Sequence, residues 1–185
     1  AGLPTFAGGI DNQTFVGEDA LPDINAGLSL NVSYKNWDAS AYLAGQFGFS
    51  VYNNTRNAFF TAGSIGNGRN VTPDVLTSGE SNAASAPVST FFLEDGDFVR
   101  LQNATIGYTV PLSGDGALKS LRLSVTGQNL FLITDYSGLD PEISVQAGTP
   151  NNGISDVLNG IPTAGIDYTA FPRPRTVTFG VNASF

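Results

Sequence analysis

Residues 174–185 read Pro174-Arg-Thr-Val-Thr-Phe-Gly-Val-Asn-Ala-Ser-Phe185; from Val177 every odd position is apolar (Val177, Phe179, Val181, Ala183, Phe185), and every even position from Thr176 is small or polar. Strict period-two alternation marks a strand whose two faces meet different surroundings. A soluble sheet with one buried face alternates in the same way, so this stretch alone leaves open whether its apolar side meets a core or lipid.

The same pattern recurs upstream. Ile24, Ala26, Leu28, Leu30, Val32 and Tyr34 alternate with Asn25, Gly27, Ser29, Asn31 and Ser33. Lys35-Asn36 predicts a tight turn, after which Trp37, Ala39, Ala41, Leu43, Gly45, Phe47, Phe49 and Val51 share one face, so the two runs form a hairpin. A third strand is expected from about Asp97 to Val110 and a fourth from Ser120 to about Ile133. In the fourth the phase changes at Asn129, where Leu130 and Leu132 fall opposite to Leu121, Leu123 and Val125; a bulge or a membrane rim is expected there.

Residues 1–22 read as the end of a loop, and residues 53–96 and 134–173 as long loops rich in Gly, Asn, Pro and Asp. Unpatterned stretches of that length count against a compact soluble domain. Short and long connections alternate strictly, as short periplasmic turns and long extracellular loops do in outer-membrane barrels. Strands of about eleven residues match the roughly nine to eleven that a tilted strand needs to cross a bilayer. The expected fold is therefore all-β, a segment of a transmembrane antiparallel β-barrel, with Tyr34, Trp37, Tyr108 and Phe185 in the interfacial aromatic girdle. Five strands cannot close, since the smallest single-chain barrels use about eight; the first and last strands are expected to pair with strands outside this sequence.

Composition agrees. Charged residues are 13% of the 185, about half the usual share, beside 22 Gly and 11% aromatics. No apolar run approaches the roughly 18 residues of a spanning helix, so any membrane crossing is by strands. A net charge of −8, with eight Lys and Arg in all, disfavours nucleic acid. Without Cys there is no disulfide framework or thiolate metal site, and without His the commonest catalytic centres are excluded. The sequence also lacks Met, and a mature, cleaved or internal segment of a longer chain is expected.

Three ordered blocks carry a family resemblance. Glu94-Asp-Gly-Asp-Phe-Val-Arg-Leu-Gln-Asn-Ala-Thr-Ile-Gly-Tyr-Thr-Val-Pro111 is the first, and Leu121-Arg-Leu-Ser-Val-Thr-Gly-Gln-Asn-Leu-Phe131 with Tyr136-Ser-Gly-Leu-Asp-Pro-Glu142 the second. The third is Gly165-Ile-Asp-Tyr-Thr-Ala-Phe-Pro-Arg-Pro-Arg-Thr-Val-Thr-Phe-Gly-Val-Asn-Ala-Ser-Phe185, and upstream Leu21-Pro-Asp and Val32-Ser-Tyr-Lys-Asn-Trp-Asp38 fit as well. Together they resemble the carboxy-terminal barrel segment of SusC/RagA-type TonB-dependent outer-membrane transporters. The resemblance implies a barrel of twenty-two strands, of which this chain supplies the last five. It also implies an amino-terminal plug, coupling to TonB through a segment not in this sequence, a SusD-like surface lipoprotein as partner, and import of glycans or peptides in Bacteroidetes-type bacteria. It implies no catalytic residues and no cofactor.

If the apolar faces meet lipid, Val177, Phe179, Val181 and Phe185 are lipid-facing. Asn25, Asn31, Gln46, Asn103, Thr105, Arg122, Thr126, Gln128, Thr178 and Asn182 then point into the lumen, mostly as partners of the plug. Tyr136, Asp140 and Glu142 fall in the second long loop, as candidate contacts for substrate or lipoprotein or, more simply, as anchors of the loop. Asp95-Gly-Asp97 with Glu94 has the carboxylate density of a Ca²⁺ loop fragment but lacks the remaining ligands, and it reads as a turn entering a strand. Asp11-Asn-Gln and Glu18-Asp19 are weaker still, and Gly63-Ser-Ile-Gly-Asn-Gly68 lacks the Lys-Ser/Thr of a phosphate cradle. Asn12-Gln-Thr14 and Asn70-Val-Thr72 mean little in a bacterial chain. Two other classes fit the composition: a self-contained adhesin-like surface-binding β-domain whose loops take a ligand, and a β-sandwich carbohydrate-active module. The second lacks an ordered carboxylate pair at neighbouring strand ends.

Overall fold

The structure, a computed structural model, describes residues 15–78, 89–112, 116–143 and 165–185. Most of the expected amino-terminal loop, with Asp11-Asn-Gln and Asn12-Gln-Thr14, lies outside the described residues, as do 79–88 and 144–164 of the two long loops. Among the described residues the order is β1 (Ile24–Tyr34), β2 (Trp37–Phe47), β3 (Ser50–Asn53), α1 (Asn54–Phe59), a 3-10 turn (Ala62–Asn67), α2 (Val75–Ser78) and a second 3-10 turn (Thr90–Phe92). Then come β4 (Leu93–Asp95), β5 (Phe98–Thr109), β6 (Ser120–Thr134), β7 (Ile166–Asp167) and β8 (Thr176–Ser184). The chain divides into a sheet unit (residues 23–47, 97–134 and 172–185) and a loop unit (1–22, 48–96 and 135–171).

The sheet unit is an antiparallel meander in the order β1-β2-β5-β6-β8. Directly opposed residues project to the same face, so the register carries each alternation across the sheet. Val32, Ala39, Ile106, Val125 and Phe179 form one apolar row, and Tyr34, Trp37, Tyr108, Leu123 and Val181 the next. On the other face Asn31, Ser40, Thr105, Thr126 and Thr178 form the matching polar row. Among the described residues nothing covers the apolar face: Trp37 is 54% exposed, Ile106 58%, Val181 72% and Phe179 78%.

Two irregularities keep the faces in phase. On β5 Asn103 opposes Tyr42 while Leu101 opposes Leu43, so Gln102 is an extra residue that reverses the parity of the strand. Leu101 and Val99 thereby stay on the apolar face, and Arg100 stays off it. Opposite, Asn129 and Leu130 of β6 fill the gap between Gln128 and Phe131. This is the bulge the sequence predicts at Asn129, which takes the left-handed conformation (φ 51°) and donates from Nδ2 to the Pro174 carbonyl at 3.0 Å. The bulge changes one expectation: Leu130 lies against Gly127, whose row is apolar, so it joins the apolar face rather than leaving it.

The second strand is also shorter than the alternation predicts. It ends at Phe47, where Gly48 turns left-handed (φ 78°), and Val51 enters the loop unit in β3. There β3 sits between β4, antiparallel, and β7, parallel. The described residues between β3 and β4, which lack any strand period, build short helices and 3-10 turns instead. Asn53 caps α1 by accepting the Arg56 amide at 2.8 Å, and the first 3-10 turn ends on left-handed Gly68. Buried Phe60, Val75 and Phe92 form a small core with Tyr52, Ala62, Val71 and Phe91 around it; the Phe60 and Phe92 rings meet edge to face at 5.5 Å.

The left-handed Asn129 gives a test of the bulge. Asn129→Val should lower the thermal stability of the barrel containing this chain by about 1–2 kcal/mol, because a β-branched residue resists the left-handed region, whereas Asn129→Gly should stay within about 1 kcal/mol of wild type. Heat-modifiable gel mobility against temperature checks it.

Candidate functional site: a polar wall and a loop cleft

The ten side chains expected to face a lumen all lie on the polar face of the sheet, but they do not form one cluster. Toward the end of the sheet where the chain passes between its units, Gln46 Nε2 donates to Asn25 Oδ1 at 2.8 Å. In mid-sheet Asn103 opposes Gln128, Asn31 opposes Ser40, and the Thr105 and Thr126 hydroxyls are 2.9 Å apart. Near the short turns Arg122 opposes Asn182 and reaches diagonally to Asp38, its Nε donating to Oδ1 at 3.1 Å and its terminal nitrogen bonded to Oδ2. That fork passes over Gly107, where any Cβ would collide with both partners, so the glycine is what permits the pair. Asp38 was not singled out from the sequence. Its polar phase and its place at a short-turn end are the signal that could have found it. Val177, Phe179 and Val181 project from the opposite, apolar face, and Phe185, one residue past the paired register, is exposed.

The loop unit holds a second constellation that no local pattern announces. Arg56, in the first turn of α1, donates to Asp74 Oδ2 at 2.5 Å and to Glu94 Oε1 at 3.3 Å. Glu94 also accepts from Asn53 Nδ2 at 3.2 Å, and from the Ser137 amide and hydroxyl, each at 2.8 Å. Glu94 is thus committed to the loops rather than to a cation site with Asp95 and Asp97. The intervening Gly96 amide donates to Phe49 at 2.9 Å, and among the described residues no group of three metal-ligating side chains gathers.

Of the three loop residues singled out from the sequence, Tyr136 is buried and its hydroxyl donates to Asp167 Oδ2 at 2.6 Å. Asp140 is buried and accepts the Glu142 amide at 3.0 Å, turning that segment back on itself. Asp167 Oδ1 also accepts the Ala170 amide at 3.2 Å, and Thr55 Oγ1 accepts the amide of left-handed Thr169 at 2.6 Å. Between these segments lies a cleft of ≈ 530 Å³ lined by, among others, Arg56, Phe59, Asp74, Leu139, Asp167 and Thr169.

Burial raises the Tyr136 hydroxyl well above the ordinary phenol range, and neighbouring Asp167 raises it further, so Tyr136 stays a donor. Burial works against the Asp74 carboxylate, but the hydrogen bond and charge of Arg56 outweigh it and hold the group below the usual carboxylate range. These groups are arranged to fasten loops. They place no nucleophile beside a base.

No family model matches the chain. It is 32% identical over 177 residues, 89% of its length, to "TonB-dependent receptor P26" of Formosa agariphila, and 28% identical over 176 residues to "TonB-dependent receptor SusC" of Bacteroides thetaiotaomicron. It spans 17% and 15% of those proteins. Among solved structures it superposes on the RagAB peptide importer in its closed-closed state with a TM-score of 0.71 at 23% identity, covering 98% of this chain and 19% of that one. The chain is thus a relative of TonB-dependent receptors, which are not enzymes, and its fold is that of an antiparallel segment of an outer-membrane β-barrel of the RagA kind.

Two outcomes test the loop network. Tyr136→Phe removes the donor to a buried carboxylate and should lower the local stability of residues 135–143 and 165–170 by about 1–3 kcal/mol, read as faster amide exchange there. The depressed Asp74 stabilises the loop unit above the unfolded carboxylate value, and that contribution fades as pH falls through the folded one. Cleavage of these loops by an acid-active protease should therefore rise as pH drops below about 4, and Asp74→Asn should flatten the profile.

Proposed function

We propose that this chain, a relative of TonB-dependent receptors along nine-tenths of its length, supplies barrel wall and outer loops to a SusC/RagA-type transporter. That transporter would import oligosaccharides or peptides across the outer membrane, paired with a SusD-like lipoprotein and driven through TonB by parts of the protein outside this sequence. The observation that carries the reading is the unbroken apolar face, which crosses all five strands of the meander with none of the described residues packed on it. In water such a face is an aggregation hazard; in a bilayer it is the required surface.

The dimensions support it. β2 has 11 residues, which at ~3.3 Å each and a ~45° tilt rise about 26 Å, close to the ~25 Å apolar band of outer-membrane barrels. Among the described residues each edge strand has one neighbour, and lipid offers no partner for an open edge; β1 and β8 would continue into further strands. The polar face, with the Asp38–Arg122 pair and its Asn, Gln and Thr side chains, would face the lumen and meet the plug. A charge pair costs least there, where water or plug groups complete its hydrogen bonds.

Adjacent positions on β8 make the decisive comparison. In the full-length protein Val181→Lys should impair assembly, because a cation on the lipid face costs roughly 2–4 kcal/mol near the midplane, whereas Asn182→Lys should assemble as wild type. Equal amounts of heat-modifiable barrel from the two variants would sink the face assignment.

A further inference from the structure

The chain has two lysines, Lys35 and Lys119, and each lies on or beside one of the two short turns, so both sit at the same end of the sheet. The last apolar row before that end carries Tyr34, Trp37 and Tyr108 side by side, with the Trp37 and Tyr108 rings tilted together at 4.7 Å. Lys35 is held in the left-handed conformation (φ 53°), and the carbonyl of its neighbour Asn36 accepts the Thr109 amide at 2.8 Å, which ties the turn to β5. Its ammonium lies 5.3 Å from the centre of the Tyr34 ring, on the apolar side of the sheet. The nearby carboxylate, Asp38, belongs to the polar face and is taken by Arg122.

Resting on the barrel reading above, we propose that Lys35, with the Tyr34–Trp37–Tyr108 row beneath it, forms a contact site for an anionic phospholipid, the ammonium meeting the headgroup phosphate and the rings meeting the glycerol and upper acyl region. The charge and the surface are complementary to that occupant and to no free anion. A phosphate alone would leave the amphipathic rings uncovered, and a neutral lipid would leave the ammonium unmatched. Lys119, whose ammonium donates to the Gly116 carbonyl at 3.3 Å, adds a second cation at the same end of the sheet. Tyrosine and tryptophan suit the boundary because one end of each ring is apolar and the other can hydrogen-bond to the wet headgroup zone.

The test uses the full-length receptor in nanodiscs containing equal phosphatidylglycerol and phosphatidylcholine, with retained lipids counted by native mass spectrometry after mild delipidation. Wild type should retain phosphatidylglycerol preferentially. Lys35→Gln should lower that preference about fivefold, the factor expected for one lysine at an anionic surface, Lys35→Arg should keep it, and Arg69→Gln in the loop unit should leave it unchanged. Equal retention by wild type and Lys35→Gln, or displacement of the lipid by inorganic phosphate, overturns the site while leaving the barrel intact. A receptor that stays in solution without detergent overturns the barrel reading itself, and the site with it.

Discussion

The structure depends on phase. A strand has only two faces, so one misplaced residue sends every later side chain to the wrong side. Across the meander the apolar set stays on one face from Leu28 and Leu43 to Val177 and Phe179, and it does so only because β5 carries Gln102 as an extra residue. Without that bulge Arg100 would stand among the apolar side chains, and Val99 and Leu101 among the polar ones. The compensating pair Asn129-Leu130 on β6 relies on a residue that tolerates the left-handed region. The bulges are therefore what lets strands of 12 and 15 residues remain two-faced from end to end.

The two units solve the hydrogen-bonding problem by different means. In the sheet unit the inner strands satisfy their backbones through neighbours on both sides, and the apolar face stays exposed. The loop unit instead buries Phe60, Val75 and Phe92 and ties distant segments with charged hydrogen bonds. Glu94 draws together residues from α1 to Ser137, and Asp167 joins Tyr136 to Thr55. Such bonds are stronger than neutral ones when partly shielded from water, which suits segments too short to be stable as helices or sheets by themselves.

That difference explains what could be read from the residues. Strand identity, the Lys35-Asn36 turn, the Asn129 irregularity and the sharing of one face by the ten polar residues all follow from period-two alternation, which is local information. The alternation persists through Phe49 to Val51 after the backbone has turned at Gly48, so it does not mark where the second strand ends. Nothing in a hydrophobic pattern records a glycine's φ angle. The loop network was illegible for another reason. Its principal bonds join residues far apart in sequence, from 18 positions in Arg56 with Asp74 to 114 in Thr55 with Thr169, and helices of four and six residues leave no periodicity to detect.

Tyr136 shows how the two kinds of information meet. From the sequence it is a loop residue in a recognisable block, open to a role in binding or in anchoring. The fold buries the ring, keeps the hydroxyl protonated and points it at Asp167, so its chemistry is spent inside the loop unit. What it anchors is one wall of a cleft whose other wall is α1 and whose rim carries exposed Phe59 and Leu139. Segments this short cannot hold a shape through regular helices or sheets, so the loop unit has to be fixed from within. A buried tyrosine with a carboxylate partner does that without a large core.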